Sequence, residues 1–251
     1  MVSVTNQPLA IDLFCGLGGW AEGFLSEGYR VIGFDIERHD YGSGKKYPSQ
    51  LVLQDVMTLH GSQFRDAAVI VASPPCQEYS YMAMPWQLAK AKQARIQDDP
   101  HECARLTALF DACFRIQREA SWAAGRHVPL IVENVRGAQR WVGRAKWNFG
   151  SFYLWGDVPA LMPITLPREV MKRGVTHRGD DSTNFHGHKG VRPEHIKQGG
   201  DWFNSEQPSI SRMTGSKTKA RKAASAEIAK IPFTLSEHIA KVFKVEEFSA
   251  R

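Results

Sequence analysis

Short apolar runs that end at a turn alternate with stretches of helical spacing along the first half of the chain. The apolar runs predict five strands, over residues 9–14, 29–34, 50–54, 67–72 and 129–133. Apolar side chains at helical spacing predict one helix over residues 101–124 and another over residues 20–27. Strands that alternate with helices predict an α/β fold, with a mainly parallel, doubly wound sheet and helices on both faces.

The second half of the chain has a weaker pattern. Residues 168–215 are rich in Gly, His, Arg and Lys, which indicates long loops or a small appended module. Residues 151–167 add strand-like sequence, and residues 223–243 predict two helices separated by Pro232. The predicted organisation is a core over residues 1–167, a short basic region over residues 168–222 and a C-terminal helical segment over residues 223–251 that returns to the core.

Charge is distributed unevenly along the chain. Residues 1–80 carry 5 basic and 9 acidic side chains, residues 81–167 carry 11 and 7, and residues 168–222 carry 12 and 6. Basic stretches interrupted by aromatic side chains suit a phosphate backbone, although a solvated basic surface has the same composition. No apolar run reaches the ~18 residues of a bilayer-spanning helix, and residues 1–8 show no signal pattern. We therefore expect a cytoplasmic protein that binds nucleic acid and no membrane.

The cysteines and histidines do not form a metal-ligand pattern. The four cysteines contain no CxxC pair, and Cys15, Cys103 and Cys113 fall in positions that favour packing. The histidines of the basic region are irregularly spaced, at His177, His186, His188 and His195. We therefore expect reduced thiols and no bound metal.

Three predicted strands end in residues that suit a nucleotide-type ligand. The first is followed by Cys15-Gly-Leu-Gly-Gly19, whose glycines let a ligand approach the backbone at the start of a helix. The second ends at Asp35, placed for a ribose diol, and the third at Asp55, placed to accept a hydrogen bond from an exocyclic amine. Each acid alone would also suit a helix cap or a surface position. Three such ends at one sheet edge favour a ligand site.

The fourth and fifth strands end in candidates for catalysis. Cys76 follows Pro74-Pro75 at the ligand edge and is a candidate nucleophile, with a buried structural cysteine as the alternative. Glu133 ends the fifth strand, where a carboxyl group can bond the edge of a base and supply a proton. Residues 77–99 are predicted as a loop that faces a nucleic acid, or as an ordinary surface loop. The aromatic side chains of this stretch are Tyr79, Tyr81 and Trp86.

Five motifs occur in one order over residues 9–137, namely DLFCGLGG, GFDIE, QDV, SPPCQ and ENV. In this order they resemble the S-adenosylmethionine-dependent DNA cytosine-C5 methyltransferases, of which the chain looks like a compact member. The resemblance implies a Rossmann-like methyltransferase fold, S-adenosylmethionine as cofactor and double-stranded DNA as partner. It also implies methyl transfer to C5 of a cytosine that is flipped out of the duplex.

The resemblance further implies a role for individual residues. Cys76 would add to C6 of the cytosine, and Glu133 would bond N3 of the same base. Nine residues would bind the cofactor, namely Phe14, Gly16, Leu17, Gly18, Gly19, Asp35, Ile36, Asp55 and Pro75. Five would bind the substrate, namely Gln77, Ser80, Asn134, Arg136 and Arg178.

The back half departs from the family pattern. Only Arg173 and Arg178 are candidates for the family's Arg-x-Arg element, and its GNSV-like motif near the C-terminus is missing. Residues 179–215 leave space for only a short target-recognition region. Recognition of the DNA sequence would then be relaxed, or a protein partner would contribute to it. Two alternatives to DNA methylation therefore stay open: the same chemistry on RNA such as tRNA, and a cofactor- and nucleic-acid-binding protein without catalytic activity.

Overall fold

One seven-stranded sheet organises the protein, as seen in a computed structural model that describes residues 7–40, 46–76, 79, 86–162, 226–227 and 229–244. The strands are β1 (Leu9–Leu13), β2 (Arg30–Asp35), β3 (Gln50–Leu53), β4 (Ala67–Ala72), β5 (Leu130–Asn134), β6 (Trp147–Phe149) and β7 (Phe152–Gly156). Their order is β3-β2-β1-β4-β5-β7-β6. Strands β1 to β5 are parallel, whereas β7 is antiparallel to both β5 and β6. The predicted α/β, Rossmann-like fold is confirmed.

The bounds of five α-helices that accompany the sheet lie within the described residues. They are α1 (Gly19–Ser26), α2 (Trp86–Asp98), α3 (Pro100–Ala124), α4 (Gln139–Val142) and α5 (Phe233–Phe243). The long helix α3 has clear end signals: the Asp99 side chain accepts from the backbone N–H of His101 at 2.9 Å, Pro100 follows, and Gly125 ends the helix with φ of 63°. These signals explain why α3 matches the prediction from sequence.

Each face of the sheet is covered by different helices. On one face α3 packs Phe110 and Ile116 against β4 and β5. On the other face α1 and α5 enclose a second cluster around Trp20 and Leu235. The two helices approach closely at Gly23, where a Cβ atom would overlap the backbone of α5. Glycine is therefore required at this contact between α1 and α5.

The stretch before α3 differs from the prediction. Residues 86–98 form α2 instead of a loop, and Ile96 of this helix is buried in the core. Tyr79 is also buried, and its hydroxyl donates to the carbonyl of Leu106 at 2.9 Å. The expectation that Tyr79 faces a nucleic acid is therefore wrong. The loop prediction failed because α2 is mostly polar and shows little helical periodicity, although it contains neither Gly nor Pro.

The C-terminal half is described only in part. The strand-like sequence after residue 150 contributes β7, and α5 begins directly after Pro232, as predicted. The basic region over residues 168–222 lies outside the described residues, and so do Arg173, Arg178 and the four histidines named above. The division of the chain into three parts therefore stays a prediction.

Candidate functional site

Most of the predicted site residues that the structure describes lie at the carboxyl edge of the sheet. Strand β1 lies between β2 and β4, and the connections from β1 and β4 leave in opposite directions at this point. Ligands of open α/β sheets bind at such a switch point, beyond the carboxyl ends of the strands. The turn after β1, the end of β2, the turn after β4 and the end of β5 all open onto this edge.

The turn after β1 has an unusual backbone. Phe14 has a φ of 56°, Gly16 of 50° and Gly18 of 78°. The left-handed region is open to glycine but costs a bulky residue such as Phe14 about 1–3 kcal/mol. A Cβ at Gly18 would overlap Pro48, while the space beside Gly16 is open. Strain of this kind is typical of functional sites, and here it falls in the predicted cofactor turn.

Asp35 holds the glycine turn against the end of β2. Its carboxylate accepts from the backbone N–H of Gly16 at 3.0 Å and of Ile36 at 2.8 Å, and Nε2 of His39 lies 3.1 Å away. Burial alone would raise its pKa, but the hydrogen bonds from His39 and Gly16 outweigh burial and hold the pKa below its ordinary value. Asp35 is therefore an ionised acceptor at the position where the ribose was predicted.

Asp12 is a second acid at this edge, and sequence reasoning did not select it as a site residue. It is fully buried in β1, and the Tyr47 hydroxyl donates to its Oδ2 at 3.0 Å. Its Oδ1 has no hydrogen-bond partner among the described residues. Burial raises the pKa of Asp12 to about 8, helped by the charge of Asp35 and partly offset by Tyr47. The sequence did contain a signal for this residue, namely an acid within the apolar run LAIDL. Burying a carboxyl group costs free energy unless a specific interaction stabilises it.

Three exposed apolar side chains flank the predicted adenine position. Ile36 is 72% exposed at the end of β2, and Leu53 and Met57 follow at the end of β3. Phe14 packs partly against the core from the other side. Asp55 caps the short 3-10 helix Val56–Thr58 by accepting from the Met57 N–H through Oδ1 at 2.9 Å. The cap alternative therefore holds for Asp55, and its cofactor role stays a prediction.

The turn after β4 carries Cys76 and is anchored from two sides. The Ser73 hydroxyl accepts from the Trp20 indole at 3.0 Å, and the Ser73 N–H donates to the Leu13 carbonyl at 3.1 Å. From β5, the side-chain amide of Asn134 donates to the Pro74 carbonyl at 3.0 Å. Cys76 is half-buried at the end of this turn.

The end of β5 lies beside this turn. Strands β4 and β5 pair in register, with Ala72 opposite Val132, so that Glu133 follows at the same edge. Glu133 is only 5% exposed, and Asn134 is buried, with its oxygen accepting from the Val135 N–H. The arrangement brings a thiol and a carboxyl group to one edge of the sheet.

The remaining predicted residues are placed as follows. Pro75 is exposed in the turn before Cys76, and Arg136 is exposed at the start of the 3-10 helix Arg136–Ala138. Leu17 and Gly19 lie in the glycine turn and at the first position of α1. Gln77, Ser80 and Arg178 lie outside the described residues. The other cysteines pack as predicted, and burial raises the pKa of the Cys15 and Cys113 thiols far above their ordinary range.

A cavity of about 170 Å³ adjoins the glycine turn. It is lined by Gly16, Leu17, Glu22, Arg38, His39, Lys46, Tyr47, Leu51, Glu227 and Lys230. Sequence reasoning missed the C-terminal side of this cavity, which the ion pair between Lys230 and Glu22 (2.6 Å) closes. The cavity does not extend to Ile36 or Asp55, so it covers only the glycine-turn end of the predicted cofactor site.

Within the described part of the chain, no three His, Cys, Asp or Glu side chains are grouped closely enough to hold a metal ion. Nor does any helix there combine the length and the apolar character that crossing a membrane requires.

Solved structures that match part of this chain include several methyltransferases. They include an Escherichia coli prophage protein described as a DNA modification methyltransferase, 21% identical over 53% of this chain and 33% of that one, with a TM-score of 0.34. The Entamoeba histolytica methyltransferase EhMeth is 18% identical over 54% of this chain and 40% of that one, with a TM-score of 0.33. The S. pombe Dnmt2 methyltransferase is 16% identical over 55% of this chain and 37% of that one, with a TM-score of 0.34. The chain thus spans only a third to two fifths of these proteins.

Sequence comparison gives the family. No curated protein matches the chain significantly. The model of the C-5 cytosine-specific DNA methylase family matches residues 9–138, a range that contains all five motifs and both Cys76 and Glu133. Because this match covers more than half of the 251 residues, the chain belongs to the C-5 cytosine-specific DNA methylase family.

Proposed function

We propose that the protein transfers a methyl group from S-adenosylmethionine to C5 of a cytosine in double-stranded DNA. Family membership supports methyl transfer to cytosine. The observation that carries the proposal is the hydrogen bond from the Asn134 side-chain amide to the Pro74 carbonyl at 3.0 Å. It joins the residue after Glu133 to the turn before Cys76, which supports a common role for this thiol and this carboxyl group.

The residues at the glycine turn fit S-adenosylmethionine. Asp12 keeps a buried oxygen that has no partner among the described residues, and the open side of Gly16 adjoins a cavity. Asp35 offers an ionised carboxylate to hydroxyl donors, and Ile36 offers an exposed apolar surface to a flat ring. The bound cofactor supplies a methyl group on a positively charged sulfur. The residues of the glycine turn would hold it beside the turn that carries Cys76.

The proposed chemistry uses one thiol and one carboxyl group. The Cys76 thiolate forms a bond to C6 of the cytosine, while Glu133 donates a hydrogen bond at N3 and makes C6 more electrophilic. The added electron pair makes C5 nucleophilic toward the methyl group that the cofactor would supply, and the broken S–CH3 bond would leave S-adenosylhomocysteine. Loss of the C5 proton to solvent would then break the bond between C6 and sulfur and regenerate the thiolate. The base must leave the duplex to reach Cys76.

A cysteine substitution tests this role. We expect Cys76→Ser to abolish methyl transfer while S-adenosylhomocysteine binding, measured by calorimetry, changes by less than a few-fold. Cys103→Ser is the matched control, because Cys103 is a half-buried thiol of α3 outside the site. Turnover by Cys76→Ser at the rate of this control would refute the nucleophile assignment.

Substrate and mechanism are tested with a mechanism-based probe. A duplex that contains 5-fluorocytosine cannot lose a proton from C5, so it should trap a covalent adduct with Cys76 that denaturing electrophoresis detects. Absence of both adduct and methyl transfer would favour a non-catalytic binding protein. Faster labelling of tRNA than of duplex DNA would favour RNA as the substrate.

A further inference from the structure

A strip of positive charge lies directly after Glu133, on the segment that joins β5 to β6. Residues 134–156 contain four basic side chains and no carboxylate. All four are exposed, namely Arg136, Arg140, Arg144 and Lys146. None of them forms an ion pair within the described ranges of the chain. We call these four residues the basic strip, and no carboxylate of the described residues forms an ion pair with it.

The backbone under the basic strip is held in place. The Trp155 indole donates to the Gly143 carbonyl at 2.9 Å, and the Gln139 side chain accepts from the Ala145 N–H at 3.2 Å. Ala138 is fully buried, and the Lys146 N–H donates to the Leu154 carbonyl at 2.9 Å. The four charges are therefore displayed on an ordered scaffold, which lowers the entropy cost of binding a ligand there.

Strand register places the strip beside the proposed base position. Leu154 of β7 is opposite Glu133 on one side and Trp147 on the other. Paired residues of neighbouring strands share a face, so Trp147 lies on the face of Glu133, two strand spacings or about 10 Å away. The strip begins three residues after Glu133 and ends next to Trp147. It therefore runs along the side of the candidate site.

We infer that the basic strip binds the phosphate backbone of the DNA whose cytosine enters the site. This inference rests on the proposed function and adds a surface that the function does not require. Only Arg136 lies within the residues that match the family, since that match ends at residue 138. The family match therefore does not account for the rest of the strip.

The residue types favour a phosphate backbone over an acidic protein surface. Three of the four side chains are arginines, whose planar guanidinium matches the geometry of phosphate oxygens. Aromatic side chains lie between them: the Arg140 guanidinium is 6.0 Å from the ring centre of Trp141, and Trp147 is 46% exposed. Basic side chains alternating with aromatic ones are typical of nucleic-acid-binding surfaces.

The inference predicts a change in the salt dependence of DNA binding. The test measures the affinity of the full chain for a fluorescent duplex by anisotropy, from about 50 to about 300 mM salt. Each lost phosphate contact should reduce the slope of log affinity against log salt by about 0.9. Arg140→Gln with Arg144→Gln should therefore reduce it by about 1.8, which corresponds to roughly 60-fold weaker binding near 0.1 M salt.

The control removes the same charge from the opposite rim of the sheet. Arg30 is exposed at the start of β2, and Arg118 is exposed near the end of α3. Arg30→Gln with Arg118→Gln should leave the slope as in the wild type. Equal slope changes in the two double variants, or none in the strip variant, would overturn the inference. A change seen with a tRNA probe and absent with duplex DNA would overturn DNA as the ligand.

Binding and catalysis are separate readouts in this design. Cys76→Ser should keep the wild-type salt slope, because the thiol carries no phosphate contact. If the strip variant had the wild-type slope while the wild type formed the covalent adduct, the role of the strip in DNA binding would be refuted. The proposed function would then still stand. If the strip variant had a reduced slope while the wild type formed no adduct, DNA binding by the strip would be supported. The same result would count against methyl transfer. Circular dichroism checks that all variants are folded.

Discussion

The buried acid Asp12 predicts an unusual dependence of stability on pH. The folded protein holds the pKa of Asp12 at about 8, against an ordinary value of 3.8. Between these values the folded state keeps a proton that the unfolded state has released. The unfolded state therefore binds fewer protons, and the free energy of unfolding falls as pH rises through this window. Asp12→Asn removes the titrating group and hence this contribution.

The size of the effect follows from the width of the window. One proton changes the free energy of unfolding by ~1.4 kcal/mol for each pH unit inside the window. Between pH 5 and pH 8, about three pH units, the free energy of unfolding of Asp12→Asn should therefore rise by roughly 4 kcal/mol relative to that of the wild type. Asp35 and Glu119 do not obscure this, because their pKa values are lowered and their contributions are lost only below about pH 5.

Urea denaturation at several pH values measures this gain through tryptophan fluorescence. Asp66→Asn is the matched control, since Asp66 is 84% exposed and its variant should follow the wild-type curve. Tyr47→Phe removes the hydrogen bond that lowers the pKa of Asp12, so the decline in stability should continue to higher pH. If the wild type and Asp12→Asn gave parallel curves between pH 5 and pH 8, Asp12 would be ionised in the folded protein and the reasoning would be refuted.

Two further predictions concern the site directly. Asn134→Ala leaves the Pro74 carbonyl without its donor, so we expect a loss of about 1–3 kcal/mol in urea denaturation and a lower rate of methyl transfer at saturating cofactor. An unchanged rate would show that this hydrogen bond does not position the turn. Asp35→Ala should weaken S-adenosylhomocysteine binding in calorimetry, and it should also loosen the glycine turn through loss of the bond to Gly16. Unchanged affinity would remove Asp35 from the cofactor site.

Local patterns were sufficient to predict the parallel part of the fold. Strands β1, β2, β4 and β5 are buried along nearly their whole length, so each appears as a continuous apolar run that ends in a polar or turn residue. Helix α3 has both a cap and a terminal glycine. Because parallel strands end at one edge, the order of these elements also predicted which side chains would share it.

Long-range pairing explains what the sequence did not predict. Tyr47 and Asp12 are separated by 35 residues, and Asn134 and Pro74 by 60. No local pattern connects such residues, and both hydrogen bonds depend on how loops fold over the finished sheet edge. The antiparallel direction of β7 was not predicted either, because the direction of a strand depends on its connection to the previous strand and not on its apolar pattern.

The anchoring of the turn after β4 has a consequence for how the protein divides its tasks. Ser73 is tied to β1 and α1, and Pro74 is tied to β5, so the backbone before Cys76 is positioned by the sheet itself. A thiol placed in this way does not need bound DNA to reach its position. DNA affinity would then come from surfaces such as the basic strip, whose inferred contacts are with the backbone. Cys76→Ser should therefore change methyl transfer without changing DNA binding, whereas strip variants should change the salt dependence of DNA binding.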